Sequence, residues 1–222
     1  PCAVKENLDS STEAARQFAR EASVLANLSH PNLPRVTDHF SIPGKGQYLV
    51  MDFVDGEDLA TKLERSGPLP IEQALHWVMQ VADALTYMHS RVPSVLHRDI
   101  KPANIRITPA GEATPFGKAM LVDFGLVKIG APHLKTTVGA RAVTPGYAPP
   151  EQYGQGSTDQ RTDLYALGAT LYSLLTNQRP MDGLQRMMGK KMQPVVELNP
   201  QIPEQLSKVI ERVMSLDAKQ RY

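Results

Sequence analysis

The apolar positions of this 222-residue chain change rhythm as the chain advances. The opening run, Cys2 to Lys5, reads as a short strand followed by a polar loop. From about Ser11 to Leu28, Phe18, Ala22, Leu25 and Leu28 recur at three- and four-residue steps, which predicts an amphipathic helix opened by Thr12 and the charged residues after it. The helix should stop before His30-Pro31-Asn32, a turn sequence. Strands are expected over Leu33–Phe40 and Gln47–Phe53, joined by the turn-rich segment Ile42–Gly46. Residues 54–58 form a polar, hinge-like connection.

Beyond Leu59 the pattern is mostly helical. Ala74, Leu75, Val78, Val81, Ala82, Leu85 and Met88 share one face of a long helix expected over Ile71–Arg91. Short strands are expected near Val95–His97, Ile105–Thr108 and Met120–Val122. The stretch from Asp123 to Gln160 is rich in Gly, Pro and Thr, and its length marks it as functional rather than a plain connector. Leu164 to Leu175 is apolar nearly all round, as a helix buried on every side must be. Helices near Leu184–Met188 and Glu204–Leu216 close the sequence. The expected fold class is α+β, with a small β-rich lobe over 1–53, a hinge at 54–58 and a larger helical lobe over 59–222.

Charge and composition narrow the partners. A formal net charge of +1 supplies no field that would argue for nucleic acid or a membrane surface. No apolar run is long enough to span a bilayer. The single cysteine, Cys2, excludes an internal disulfide framework and suits a reducing, cytoplasmic compartment. The six histidines have no spacing that suggests a metal site.

The candidate chemistry sits in His97-Arg98-Asp99-Ile100-Lys101-Pro102-Ala103-Asn104 and, further on, Asp123-Phe124-Gly125. Phosphoryl transfer asks a protein for in-line positioning and for cancellation of phosphate charge. It needs one carboxylate beside the attacking hydroxyl and another to hold a bridging metal. An amide oxygen can complete the shell of a hard cation such as Mg²⁺, and a lysine can meet the moving group. Asp99, Asp123, Asn104 and Lys101 make up that set.

The same run resembles the catalytic loop of eukaryotic-type Ser/Thr protein kinases, the bacterial members in particular, and the resemblance extends in order along the chain. Ala3-Val4-Lys5 resembles the small-lobe strand whose lysine holds the α- and β-phosphates of ATP, and Glu21 falls where the family's helix glutamate pairs with that lysine, Glu13 being the rival. Leu49–Val54 resembles the strand and hinge that present backbone groups to adenine. Ala148-Pro149-Pro150-Glu151 resembles the end of the activation segment, here 123–151, Asp163 the buried aspartate of a central helix, and Arg221 the late arginine that pairs with Glu151.

The resemblance implies ATP with Mg²⁺ (or Mn²⁺), a protein substrate, and a homodimer for trans-autophosphorylation. Asp99 would receive or orient the hydroxyl proton, with Asn104 and Asp123 on the metal. Met51, the Asp52 carbonyl and the Val54 N–H would face adenine, and Asp58 the ribose or a basic substrate residue. Thr144 would bond Asp99 and Lys101; Phe124 and Gly125 would be structural, as would His97. Arg98 would receive a phosphate placed on Thr136 or Thr137, because a guanidinium beside a carboxylate takes an anion bidentately.

Two features depart from the family pattern. The Gly-rich loop that should precede Lys5 is not among these residues, so the sequence reads as a piece of something longer, with weak ATP binding and slow turnover expected of the 222 residues alone. The second is Arg106, where the family has an apolar side chain under adenine. Its stem could cover the base while the head reaches water, or the head could stack on the purine. The competing expectation is a pseudokinase scaffold, which predicts loss of Lys5, Asp99, Asn104 or Asp123; none is lost.

Overall fold

Alternation in the first 53 residues builds one antiparallel sheet. The computed structural model describes residues 1–7, 12–123, 128–129, 143–154 and 158–222. Strands β1 (Cys2–Asn7), β2 (Val36–Ile42) and β3 (Gly46–Asp52) pair in the order β1-β3-β2. Helix α1 (Thr12–Ala26) packs on β2 and β3 through Ala22 and Leu25, both nearly fully buried. The register sets Ala3, Met51 and Val36 side by side, and next to them Lys5, Leu49 and His39. The expected strand over Leu33–Phe40 begins instead at Val36 and runs to Ile42, because the Leu33 N–H closes a turn onto the His30 carbonyl.

That turn also ties the small sheet to the rest. Asn32 is buried; its amide donates to the Ala119 carbonyl at 2.7 Å and to Gln80 Oε1 at 2.9 Å, while its own carbonyl accepts from Leu121 N. A polar side chain is stable at that depth because its hydrogen bonds are met.

The hinge-like segment hides a strand that periodicity could not reveal. β4 (Glu57–Asp58) has two residues and pairs with β6 (Ile105–Ile107), which pairs in turn with β7 (Ala119–Leu121). Between them in sequence run α2 (Leu59–Ser66), α3 (Ile71–His89) and β5 (Val95–Leu96), the last paired with β8 (Lys128–Ile129). Ile105, Ile107, Ala119 and Leu121 turn one face of the β4-β6-β7 sheet into the core, leaving Arg106 and Met120 half-buried on the other.

After the short α4 (Pro150–Tyr153), α5 (Gln160–Thr176) is the axis of the helical lobe. From Tyr165 to Thr176 every residue is buried, against α3, α7 (Val195–Leu198) and α8 (Glu204–Val213). It starts four residues before the expected Leu164, because Asp159 caps it by accepting from Arg161 N at 2.8 Å. Gly168 is required where α8 crosses, since a Cβ there would lie 2.8 Å from Val213 Cγ1. Helix α6 (Gly183–Met187) is capped by Asp182. No helix among the described residues is long and apolar enough to cross a membrane.

Arg221 locks the end of α4 to the lobe. Its fully buried guanidinium meets Glu151 through two parallel bonds of 2.6 and 3.1 Å, and its remaining donors reach the carbonyls of Ser215, Arg161 and Leu216. Every donor of the fork is satisfied, the condition under which a buried ion pair holds. Arg221→Met removes the guanidinium from Glu151 and from three carbonyls, and should lower the unfolding free energy by about 3–5 kcal/mol. Urea denaturation checks this; a loss below about 1 kcal/mol, the range of a surface pair, would show that the fork is not a structural lock.

Candidate active site

Asp163 builds the site from below. It stands in the first turn of α5 and its carboxylate is fully buried. Oδ1 accepts the Arg98 N–H at 2.7 Å, Oδ2 accepts the His97 N–H at 3.0 Å, and His89 Nε2 lies 2.8 Å from Oδ2. Two consecutive backbone amides are thereby fixed just before Asp99. Gln152 Nε2 holds the Arg98 carbonyl at 2.8 Å. These grips keep Arg98 at φ +68, a left-handed conformation that a long side chain adopts only when its surroundings over-determine it.

The loop then presents Asp99, with 15% of its side chain exposed. Thr144 Oγ1 donates to Oδ1 at 2.7 Å; Lys101 Nζ and Asn104 Nδ2 donate to Oδ2 at 2.8 and 2.9 Å. Lys101 also donates to Thr144 Oγ1 at 3.1 Å, which joins this loop to the segment ending in α4. Partial burial pushes the Asp99 pKa up, but the bonds from Lys101, Thr144 and Asn104 and the Lys101 charge outweigh it and hold the carboxyl below the usual aspartate range. Asp99 is an anion at neutral pH. His97 is fully buried, which lowers its pKa and keeps it neutral, and its Nε2 lies 3.2 Å from the Val122 carbonyl.

Asn104 ends a turn of 3-10 helix, Pro102–Asn104, and is itself buried. Its Nδ2 is engaged by the Asp99 carbonyl and carboxylate, which leaves the amide oxygen as the atom able to meet a cation. The Asn104 carbonyl accepts Val122 N at 2.9 Å, bringing the end of β7, and therefore Asp123, beside the loop. Asp123 also has a left-handed backbone, φ +67. Its carboxylate receives the Lys5 ammonium from β1, and both groups are well exposed. Two hard oxygen donors on adjoining turns fit a divalent cation that keeps several waters.

The other expected residues divide. Ala3 and Met51 are register partners on the sheet, Met51 buried; Asp52 is exposed with its N–H on the Arg35 carbonyl, and Val54 is half-buried. Glu21 lies half-buried one turn before Leu25 on α1. Asp58 is the N-cap of α2: its two oxygens accept Thr61 N at 2.9 Å and Thr61 Oγ1 at 2.8 Å. Arg106 is half-buried, and its Nη2 donates to the Gly56 carbonyl. Arg98 donates to Thr158 Oγ1. Phe124, Gly125, Thr136 and Thr137 lie outside the described residues.

Sequence reasoning passed over three contributors. Gln152 and His89 hold the loop before Asp99 through its backbone and through Asp163. Asp182 caps α6 while also accepting the Tyr153 hydroxyl and, at 3.4 Å, Gly146 N. None of them had a spacing signal for these roles, since His89, Gln152 and, beyond its local cap, Asp182 act on partners distant in sequence.

A family model described as the protein kinase domain matches residues 2–222. The chain belongs to the protein kinase family. It is 29% identical over 225 residues to the probable serine/threonine-protein kinase PknB of Lactococcus lactis, covering 99% of this chain and 34% of the relative. It is 31% identical over 226 residues to the serine/threonine-protein kinase PknA of Mycobacterium tuberculosis, covering 99% of this chain and 51% of the relative. The chain thus spans between a third and a half of these relatives' length. Among solved structures, the kinase domain of Mycobacterium tuberculosis PknI superposes with a TM-score of 0.75 at 29% identity, covering all of this chain and 80% of that one. The two-lobed α+β architecture is the protein kinase fold, and the family uses ATP with a divalent metal.

Thr144→Val removes one bond to the Asp99 anion and should raise its pKa toward the ordinary value, read by carboxyl ¹³C titration. A depressed carboxyl pKa adds stability that is present above the unfolded-state pKa and lost as pH falls through the folded one. The variant should therefore be about 1 kcal/mol less stable at neutral pH and match the parent once Asp99 is protonated. An offset that does not change with pH would mean that Thr144 stabilises by packing alone.

Proposed function

We propose that this chain carries the phosphoryl-transfer centre of a protein kinase that moves the γ-phosphate of ATP to a Ser or Thr hydroxyl of a protein. One observation carries the reading: the ionised Asp99 carboxylate is bracketed by Thr144 on one oxygen and by Lys101 and Asn104 on the other, and Asn104 is bonded through its backbone to Val122, the neighbour of Asp123. A pseudokinase would have lost part of this set.

Asp99 orients the substrate hydroxyl and takes its proton as the oxygen attacks γ-phosphorus. The new O–P bond forms while the bond from γ-phosphorus to the bridging oxygen breaks, and ADP leaves with that electron pair. Lys101, tethered to Asp99, offers its positive charge to the transferring group. The Asn104 amide oxygen and Asp123 would hold Mg²⁺, or Mn²⁺ in its place, and the ion supplies charge neutralisation at the phosphates. Lys5, resting on Asp123, is drawn onto the α- and β-phosphates, with Glu21 as its support on α1. Met51 and Ala3 close on adenine, and the Asp52 carbonyl and Val54 N–H read its edge. Arg98 receives the phosphate of a modified Thr136 or Thr137, and two copies of the chain phosphorylate each other.

The Asp99→Asn variant should keep ATP affinity close to the parent's while losing about 10²–10⁴-fold in phosphorylation rate, the range of a positioned general base. Labelled ATP with a Ser/Thr peptide reads the rate and calorimetry reads the affinity. Activity within a few-fold of the parent's would overturn the assignment. Asp123→Asn should remove the Mg²⁺-dependent part of nucleotide binding, which a titration with and without chelator would report.

A further inference from the structure

Arg106 is the residue of the cleft that the phosphoryl-transfer reading leaves unexplained. It lies in the middle of β6, opposite Asp58 on one side and Met120 on the other. Ile105 and Ile107 face the core, so Arg106 occupies the face of the sheet turned away from it. A cation there would ordinarily seek water. Instead its Nη2 donates to the Gly56 carbonyl in the hinge, and its Nε is buried with no acceptor among the described residues. The head is therefore oriented by the hinge carbonyl.

Gly56 is itself pressed onto β6. At φ +110, a Cβ at this position would stand 1.9 Å from the Ile107 carbonyl oxygen. The backbone can approach that closely only because residue 56 has no side chain. Main-chain pairing of Glu57 with Ile107 and of Asp58 with Arg106 begins at the next residue. The hinge is thus fastened to β6 twice, by the two-residue ladder and by the Arg106 side chain. Two residues of ladder are a weak fastening on their own. A charge-assisted bond at its open end prevents it from fraying toward Val54.

With the cleft read as the nucleotide site, we propose that Arg106 is a positioning residue with two parts. Its head clasps the Gly56 carbonyl and sets the height of the hinge backbone at Asp52–Val54, while its methylene stem lies under the purine. An apolar residue could supply the floor but not the clasp. The nucleotide contact most sensitive to residue 106 is then the backbone reading of the purine edge, two to four residues before Gly56.

Arg106→Met keeps an apolar stem and deletes the head; Arg106→Lys keeps a stem and one cationic donor. In the absence of nucleotide, Arg106→Met should speed hydrogen exchange across residues 54–58 and leave exchange in α5 unchanged. The KM for ATP should rise about three- to tenfold, less than the full worth of one charge-assisted bond because the nucleotide feels its loss through the hinge backbone, with kcat and the KM for peptide within about twofold. Arg106→Lys should recover part of both effects. Arg106→Met with hinge exchange and ATP KM equal to the parent's overturns the clasp, as does a fall in kcat with KM unmoved. If the parent bound no ATP by calorimetry, the nucleotide reading would fail while the exchange data still judged the clasp.

Discussion

A single buried carboxylate holds the candidate site together. Asp163 lies at the base of α5, in surroundings where an unpaired anion would be prohibitively expensive. Its two oxygens are met by the successive amides of His97 and Arg98 and by His89. The stability of α5 in the core and the shape of the loop are therefore the same physical fact. Neither the amides nor the carboxylate can be satisfied elsewhere without unfolding the other. The left-handed backbone at Arg98 is sustained by this arrangement, with Gln152 closing it from α4.

From that base the site is assembled by charge-assisted bonds between segments far apart in sequence. Thr144 and Lys101 lock the segment before α4 to Asp99, and Arg221 locks α4 to the end of the chain. The chain of bonds runs from Arg221 through Glu151 to Thr162 and the base of α5, next to Asp163. The Asp99 carboxylate thus rests on rigid supports, as a preorganised electrostatic site requires. Lys5 and Asp123, by contrast, are exposed and hold each other. Their pairing is the part of the site that a polyanion can rearrange at little expense, because exposed ion pairs are worth little.

The cleft shows how a polar residue can occupy an apolar position. Arg106 is tolerated because its head finds a main-chain acceptor and its neighbours on β6 carry the burial. Asp58 is drawn into capping α2 for a related reason: the open amides of a helix start are the nearest unmet donors. Both side chains lie at the hinge, and both are tied to backbone there.

The sequence by itself determined the long elements and the chemical inventory. The repeat of Ala22, Leu25 and Leu28 marked α1, the unbroken apolar run marked α5, and the ordered motif residues from Lys5 to Arg221 marked the family, because those signals are local periodicities and residue types at fixed places. Elements of two residues such as β4 have no period to read and exist only because β6 lies beside them. The same limit hid the partners of side chains. Asn32 read as a turn residue and is a buried anchor; His89 was one more helix histidine and touches Asp163; the capping of α2 by Asp58 had no signal of its own. Only the tertiary structure decided these, since hydrogen-bond partners are chosen by proximity in space, and burial removes water as the alternative partner.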